Sequence, residues 1–376
     1  MGVIFNIIHY VIPFIFLLGV LVFVHEFGHF IVARLSGVEV SAFSIGFGKV
    51  LWSRKDKRGT EWKISAVPLG GYCQFLGDED ASSSTSNTST LTDEQKKRAF
   101  AFQKPYKKLA IVIAGPGFNY LFAILIYTCL FTFLGKITFP PVVGEVVEHG
   151  AAFEAGIQTG DRILSINGVK IQEFADISRE VAMAADYKTK IEVKRGEENL
   201  TFDVVLKEIE MDNSDGTKEK RHMLGVKSVN AIETSNERTP IYKAFVFAVE
   251  EVYDVTVTTL RGVSQMITGD RGSEDIGGII RIAEMTGDIS KSQNFINFVV
   301  FMALLSVNLG LINLFPIPVL DGGHVVFYVI EIITRRELNE KVRDYLFRAG
   351  FALLIALMIF ATYNDIVHLI NRWFNS

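Results

Sequence analysis

The chain has 376 residues, of which 49% are hydrophobic and 21% charged, and its formal net charge is -4. This charge argues against a nucleic-acid-binding protein, and two cysteines are too few for a disulfide framework or a Cys-type zinc site. The length allows two or three domains, and the composition indicates a membrane protein with a sizeable water-exposed part.

Four apolar stretches are long enough to cross a bilayer, whose hydrocarbon core of about 30 Å takes roughly 20 helical residues. The first begins close to Met1 without the positive n-region and small-residue cleavage pattern of a signal peptide, so we expect a retained spanning helix. The four predicted spans are Ile8–Leu35, Leu109–Leu134, Phe295–Phe315 and Tyr345–Ile370.

The orientation of these spans follows from Lys and Arg, which are concentrated between spans one and two and between spans three and four. The positive-inside rule puts both of these loops in the cytoplasm. Both chain ends and the long segment 136–294 are then expected on the extracytoplasmic side of the membrane.

The first span contains His25-Glu26-Phe27-Gly28-His29. On a helix this HExxH spacing puts two imidazoles on one face, where they can bind one zinc ion, and the Glu between them can take a proton from a water at the metal. A carboxylate inside a membrane helix costs about 2.5–3.5 kcal/mol, so it is a candidate functional group. The alternative is a pair of structural core histidines. The motif predicts a metalloprotease with its active site in the membrane.

The loop after span one shows strand-like alternation over Val38–Trp52 and Glu61–Val67. It is either a small hairpin that caps the helices or a sheet edge that pairs with an extended substrate. In the second case Gly46, Phe47 and Gly48 are candidate substrate-binding residues, because the backbone can approach another chain closely there. The Ser-, Thr- and Asn-rich stretch Ala81–Thr92 is expected to be a flexible insert.

The segment Pro141–Glu208 is expected to be one compact soluble module. It has a strand at 142–146, a short helix at Ala151–Ala155, and an Asn167-Gly168 hairpin turn. The pattern AG-x-x-x-GD-x-I-x-x-I-NG over 155–168 resembles PDZ domains, which bind extended peptides or C-termini by strand addition. A purely structural β-module is the alternative.

The region after this module is expected to contain a polar turn, a closing strand, an amphipathic helix on or near the membrane, and an ordered Gly-rich loop. In that order the predicted elements are Asp212–Glu219, Met223–Val229, Thr239–Ile267 and Gly269–Asp288. The chain is thus divided into a first membrane part (1–135, with the β region 38–76), a PDZ domain (136–230), a helix and loop (231–290) and a second membrane part (291–376).

A third zinc ligand is needed, because catalytic zinc usually has three protein ligands and a water. The segment 313–324, Asn-Leu-Phe-Pro-Ile-Pro-Val-Leu-Asp-Gly-Gly-His, breaks span three at two prolines. Irregular backbone at membrane depth is tolerated where it lines a cavity, so Asp321 can turn inward, with His324 as the competing ligand. Asn313 could donate to a substrate or oxyanion, or it could be a contact between helices.

Taken together, these motifs resemble the site-2 proteases, peptidase family M50, and most closely the RseP-type bacterial regulators. The resemblance rests on the HEFGH and 313–324 motifs, on Gly115-Pro116-Gly117-Phe118-Asn119 in span two, and on Ser44–Lys49 and Pro68–Tyr72. It implies that His25, His29 and Asp321 bind zinc, that Glu26 is the catalytic base, and that the β region is a membrane re-entrant hairpin. Pro316 and Asn119 are further substrate-binding candidates.

The resemblance implies a polytopic α-helical membrane protein with four transmembrane helices, a re-entrant β-hairpin and a mainly-β PDZ domain. Its function would be zinc-dependent regulated intramembrane proteolysis in the bacterial inner membrane, with one Zn²⁺ per chain and single-span substrates such as anti-sigma factors or signal-peptide remnants. The chain has one convincing PDZ pattern where some relatives have two, so size filtering by paired PDZ domains is not expected.

Two other classes of protein fit the sequence less well. A membrane-anchored PDZ scaffold without activity would have no need of Glu26 between the two histidines. A transporter would show internal repeats or paired broken helices, whereas this sequence has a single broken helix and no evident repeat.

Overall fold

A computed structural model describes residues 7–77, 91–184, 188–212, 218–229, 233–234, 239–268, 277–292, 294–336 and 339–375. The chain packs as two compact units. One comprises 1–128, 248–257 and 276–365, and the other comprises 129–247, 258–275 and 366–376. Most of the predicted insert Ala81–Thr92 lies outside the described residues.

The described residues up to 134 form helices and a long antiparallel hairpin. Its strands carry several register shifts, and its left-handed glycines include Gly46 and Gly48. The predicted strands are therefore confirmed but extend further. The elements are α1 (Ile12–Leu35, after a π-helical turn at Ile7–Val11), β1 (Val40–Lys55), β2 (Glu61–Phe75), α2 (Asp93–Lys96), a 3₁₀ turn (Phe100–Phe102) and α3 (Pro105–Leu134).

The hairpin is attached to the end of α1 by polar contacts at its turn and by an aromatic core. Arg34 donates hydrogen bonds to Asp56 and to the hydroxyl of Thr60. Burial raises the pKa of Asp56, but hydrogen bonds from Arg34 and the turn outweigh this and lower it to about 2. Phe30 of α1 packs against Phe43 of β1. The hairpin is therefore held to the cytoplasmic end predicted for span one.

The second part of the chain is mainly β structure. The strands and helices of this part are β3 (Ile137–Thr138), β4 (Val143–Val146), α4 (Ala151–Ala155), β5 (Arg162–Ile166), β6 (Val169–Lys170), α5 (Phe174–Ala182), β7 (Lys188–Arg195), β8 (Glu198–Val205), β9 (Lys207–Asp212), β10 (Lys218–Met223), β11 (Val226–Ser228) and β12 (Glu233–Thr234). A four-stranded antiparallel sheet has the order β6-β5-β7-β8, and β4 pairs with β11.

Several local predictions for this β domain are confirmed. Asn167 and Gly168 both have positive φ, 48° and 81°, as a type I′ hairpin turn requires, and β11 is the predicted closing strand. The polar turn predicted at Asp212–Glu219 is wrong at its ends, because Asp212 belongs to β9 and Lys218 and Glu219 belong to β10. Residues 213–217 of this turn lie outside the described residues. The core contains alternating strand residues such as Ile163, Ile191 and Val193.

The last part of the chain is helical. Helix α8 ends at Asn313 and α9 begins at Asp321, so the prolines between them interrupt the helix as predicted. A Cβ at Gly322 would overlap the carbonyls of Leu314 and Phe315, which is why glycine follows the aspartate. The helices are α6 (Ile241–Thr268), α7 (Ile279–Lys291), α8 (Phe295–Asn313), α9 (Asp321–Thr334) and α10 (Glu340–Asn375).

The Gly-rich loop predicted over Gly269–Asp288 is wrong from Ile279 onward, where α7 begins. Its residues 269–276 lie outside the described part of the chain. Asp365 of α10 stabilises the start of this helix by accepting hydrogen bonds from the backbone N–H groups of Gly278 and Ile280, at 2.8 and 3.0 Å. A carboxylate at a helix N-terminus satisfies unpaired amides. Because this cap comes from a distant helix, local sequence patterns do not reveal it.

Four helices among the described residues are long and apolar enough to cross a membrane, and each coincides with a predicted span. They extend over Ile8–Leu35, Pro105–Leu134, Phe295–Asn313 and Lys341–Asn371. Helices of this kind together with a β domain fit a membrane protein, as the composition indicates.

Candidate metal centre

Helix α1 brings the two motif histidines together. His25 and His29 are four residues apart, so both imidazoles lie on one face of the helix. Both residues are buried. Their Nε2 atoms are 3.3 Å apart and their ring centroids 4.9 Å apart. The two nitrogens therefore point to a common position, as the sequence predicts.

Asp321 completes this group from the first residue of α9. Its Oδ2 lies 3.1 Å from Nε2 of His25 and 3.4 Å from Nε2 of His29. Within the described part of the chain, this buried oxygen has no partner in hydrogen-bond geometry. The three ligand atoms of His25, His29 and Asp321 all lie within 4.8 Å of one another, so the group could hold one metal ion.

The spacing of these three atoms fits zinc. Zinc binds imidazole nitrogen and carboxylate oxygen at about 2.0–2.2 Å in tetrahedral geometry, which separates neighbouring ligand atoms by about 3.3 Å. The observed separations are 3.1, 3.3 and 3.4 Å. Two imidazoles and a carboxylate with one remaining position are the ligand set of a catalytic rather than a structural zinc site. His324, the alternative third ligand, is not part of this group.

Helix α3 contacts the Nδ1 atoms of both histidines, on the side of each ring opposite to Nε2. Nδ1 of His29 lies 2.9 Å from the carbonyl oxygen of Ile111, and Nδ1 of His25 lies 3.2 Å from Nδ2 of Asn119. Between these two contacts, Gly115 faces the His29 ring so closely that a Cβ there would overlap it. The site is thus built from α1, α3 and the start of α9.

Glu26 lies beside the cluster in a cavity of about 500 Å³. Its carboxylate accepts a hydrogen bond from the backbone N–H of Cys73 on β2, and a Cβ on Gly71 would lie 3.3 Å from its Cγ. The hairpin therefore packs directly on the candidate base. The cavity is lined on its other sides by residues that include Phe47, Tyr72, Val319, His324 and Tyr328.

The predicted substrate-binding residues are placed differently from one another. Phe47 lines the cavity, and Gly46 and Gly48 flank it with φ of 87° and 84°. Asn119 is fully buried behind His25 rather than exposed to the cavity, because α3 packs its side chain against α1. Contact of Asn119 with substrate is therefore not supported.

The other two candidates belong to the break between α8 and α9. Asn313 is partly buried and Pro316 is exposed, and neither is among the residues that line the cavity. Their roles stay predictions.

Several residues that shape the site were not identified from the sequence. The carbonyl of Ile111 and the N–H of Cys73 are backbone groups, which any residue type supplies, so no side-chain signal marks them. The sequence indicates His324 only as a possible ligand, whereas in the structure it lines the cavity and stacks on Tyr328 at 6.2 Å between ring centroids.

Comparison with known proteins gives a consistent result. The family model described as peptidase family M50 matches residues 13–357. A protein of Agrobacterium fabrum is 40% identical over 366 residues, 96% of each chain, and one of Mesorhizobium japonicum is 40% identical over 362 residues, 94% of this chain and 98% of the relative. One of Rhizobium meliloti is 38% identical over 372 residues, 97% and 99%. All three are named "Putative zinc metalloprotease".

Proposed function

The chain belongs to peptidase family M50, the site-2 proteases, and from this premise we propose that this zinc metalloprotease cleaves single-span membrane proteins within the bilayer. The observation that carries the proposal is the triangle of His25, His29 and Asp321 atoms at zinc-ligand spacing. His25 and His29 lie in a helix long enough to span a membrane, and Asp321 follows the end of another such helix by eight residues.

His25, His29 and Asp321 would hold the metal. When bound, zinc lowers the pKa of a water molecule towards about 7 and polarises a peptide carbonyl. The remaining steps fall to the side chains of this chain. Because the two imidazoles are neutral and the carboxylate carries one negative charge, a Zn²⁺ site of this composition keeps one net positive charge. This charge stabilises the negative charge that develops on the carbonyl oxygen.

Glu26 is the group that would move the proton. It is next to His25 in the sequence, lines the same cavity, and is fixed by the backbone N–H of Cys73. From this position its carboxylate would take a proton from the attacking water and deliver it to the nitrogen of the leaving amine. Loss of such a group typically costs 10²–10⁴-fold in rate.

The hairpin is the part of the molecule best suited to present substrate. A transmembrane helix keeps its carbonyls hydrogen-bonded, so it must unwind locally before its peptide bond can be attacked. A segment along Gly46–Gly48 could be held extended by strand pairing, next to the cavity-lining Phe47. Val50, Leu51 and Trp52 are exposed apolar residues in the second half of β1, before the turn, and they support a membrane re-entrant position for this part of the hairpin.

The β domain would act on the part of the substrate outside the membrane. Its hairpin at Asn167-Gly168, its sheet and its closing strand support a PDZ-like module that binds an extended peptide or C-terminus. In the orientation expected from Lys and Arg, this module and both termini lie outside the cytoplasm. Anti-sigma factors trimmed by another protease, or remnant signal peptides, are the substrates that such regulated proteolysis would serve.

The ligand set is tested by measuring zinc content in purified Asp321→Ala and His324→Ala. We expect Asp321→Ala to lose most of its zinc because one of three protein ligands is removed. The matched control, His324→Ala, should keep stoichiometric zinc although the residue lines the same cavity. Stoichiometric zinc in Asp321→Ala together with loss in His324→Ala would mean that the third ligand is wrong.

A further inference from the structure

A buried amide lies directly behind the first zinc-ligand candidate. Asn119 of α3 is fully buried, and its Nδ2 lies 3.2 Å from Nδ1 of His25. Among the residues that the structure describes, nothing forms a hydrogen bond with its side-chain oxygen, Oδ1. Buried polar atoms are almost always paired, so this oxygen calls for an explanation.

The chemistry of His25 supplies one. A histidine that binds zinc through Nε2 must have its lone pair there, so its hydrogen is carried by Nδ1. Nδ1 is then a donor. An amide NH₂ group opposite it would place two donors face to face, whereas an amide oxygen would accept the hydrogen.

One change resolves both the unpartnered oxygen of Asn119 and the two donors that would face each other at Nδ1 of His25. The oxygen and nitrogen of an asparagine amide have nearly the same shape, and which is which is assigned from the hydrogen-bond network. Turning the Asn119 amide by half a turn brings Oδ1 to the position 3.2 Å from Nδ1 of His25. The unpartnered oxygen then gains a donor, and the histidine gains an acceptor.

The second histidine already has the corresponding arrangement. Nδ1 of His29 lies 2.9 Å from the carbonyl oxygen of Ile111, an acceptor that cannot be reversed. Ile111 and Asn119 are eight residues apart on α3, about two turns, and so lie on one face of that helix. Ser306 of α8 donates a hydrogen bond of 2.8 Å to the backbone carbonyl of Asn119, which fixes this part of α3.

We propose that Asn119 is a positioning residue of the zinc site. Its side-chain oxygen accepts the Nδ1 hydrogen of His25, which selects the tautomer and directs Nε2 towards the metal. The proposal rests on the zinc-ligand role of His25 in the proposed function. It gives Asn119 a role in metal binding in place of the substrate contact expected from the sequence.

The test uses the full-length protein in detergent and measures zinc affinity by competition with a chelator. Asn119→Leu keeps the branching of the side chain at Cγ and removes both polar atoms, and we expect its zinc affinity to fall by about 10–100-fold. Asn119→Asp keeps an acceptor and removes the NH₂ donor. It should retain zinc at least as well as wild type, because a carboxylate behind a zinc histidine is the common arrangement.

Two controls separate this role from packing and from the proposed function. Thr128→Val removes a different buried polar group, a hydroxyl, from α3 and should leave zinc affinity unchanged, and thermal unfolding of each zinc-free variant reports the fold. His25→Ala must lose zinc. If it does not, the proposed ligand set fails rather than the role of Asn119.

Wild-type zinc affinity in Asn119→Leu would overturn the proposal, as would equal losses in Asn119→Asp and Asn119→Leu. Should Asn119→Leu fail to fold, Asn119→Asp alone decides the question. A side chain that acted as a donor to His25 would lose its function in an aspartate that offers only acceptors, and zinc would be lost.

Discussion

The contact between α1 and α3 depends on two glycines. A Cβ on Gly28 would overlap the backbone carbonyl of Ala114, and a Cβ on Gly115 would overlap the imidazole of His29. Small residues allow two membrane helices to approach closely. Here the close approach has a chemical consequence, because it brings the carbonyl of Ile111 and the amide of Asn119 within hydrogen-bond distance of the two histidines.

Gly115→Ala should therefore weaken zinc binding. The added methyl group must displace the His29 ring or separate the helices, and such overpacking typically costs about 1–3 kcal/mol. Zinc affinity by chelator competition and the midpoint of thermal unfolding are the measurements.

Gly117→Ala is the matched control, because it lies on the same helix and a Cβ there meets nothing within 4 Å. It should keep full zinc affinity and gain about 0.5–1 kcal/mol of stability from the lower chain entropy of alanine. Equal zinc affinity in the two variants would contradict the proposed role of the helix contact.

At this scale the sequence predicted the side chains that converge but not the backbone groups that hold them. The spacing of His25, Glu26 and His29 follows from helix geometry alone, and the prolines before Asp321 indicate where the chain turns inward. Cys73 contributes only its N–H to Glu26, and such a contact depends on the register of β2, which residue types do not specify.

Among the elements, the β domain contains an ion pair between a buried carboxylate and a partly exposed arginine, and we expect this pair to make the stability of the domain depend on pH. Oδ1 and Oδ2 of Asp161 accept hydrogen bonds of 2.7 Å from Nε and Nη2 of Arg195, and Oδ2 also accepts one of 2.8 Å from the backbone N–H of Gln158. Burial raises the pKa of Asp161, but these hydrogen bonds outweigh it, so the pKa lies below its usual value.

The sign of the effect follows from linkage. A carboxylate whose pKa is lower in the folded state adds stability above its unfolded pKa of about 3.9, and this stability is lost as the pH falls below that value. We expect amide-exchange protection of β5 and β7 to decrease with acid below about pH 4. Asp161→Asn should be less protected at pH 7 and should show a smaller decrease. The same decrease in both proteins would exclude Asp161 as the cause.

The elements that were predicted correctly are those whose structure depends on residues close to one another in the sequence. The type I′ turn at Asn167-Gly168 and the four long apolar helices are specified by neighbouring residues. Helix α7 was missed because its N-terminus is capped by Asp365, a residue far away in the sequence. Gly-rich residues before a helix look like part of a loop in the sequence unless the carboxylate that caps the helix is known.

At the scale of the whole molecule, the candidate metal site is assembled from widely separated parts of the chain. His25 and His29 come from the first span and Asp321 follows the third, while the β domain is inserted between the second and third spans. The unit that contains the site is accordingly built from separated stretches of sequence. The positions of the four spans, and with them the long segment between the second and third spans, were predictable from hydrophobic length, because each span needs about 20 apolar residues.

The proposed orientation makes a prediction for the intact membrane. In a variant with Cys73 and Cys129 replaced by Ser, single cysteines are introduced by Arg58→Cys in the hairpin turn and Glu197→Cys in the β7–β8 turn, both exposed positions. A membrane-impermeant thiol reagent added to spheroplasts should label only the Glu197 position, and the Arg58 position should need permeabilisation. The reverse pattern would contradict the positive-inside orientation.

The most direct test of the zinc protease mechanism is a cleavage assay in liposomes with wild type and Glu26→Gln. Each protein is incubated with a tagged single-span substrate, and the zinc content of both is measured. We expect equal zinc in the two proteins, cleavage by wild type, and a loss of at least 10²-fold in Glu26→Gln, because the amide cannot accept the proton. Cleavage by Glu26→Gln at the wild-type rate would contradict the assignment of Glu26 as the base and with it the mechanism.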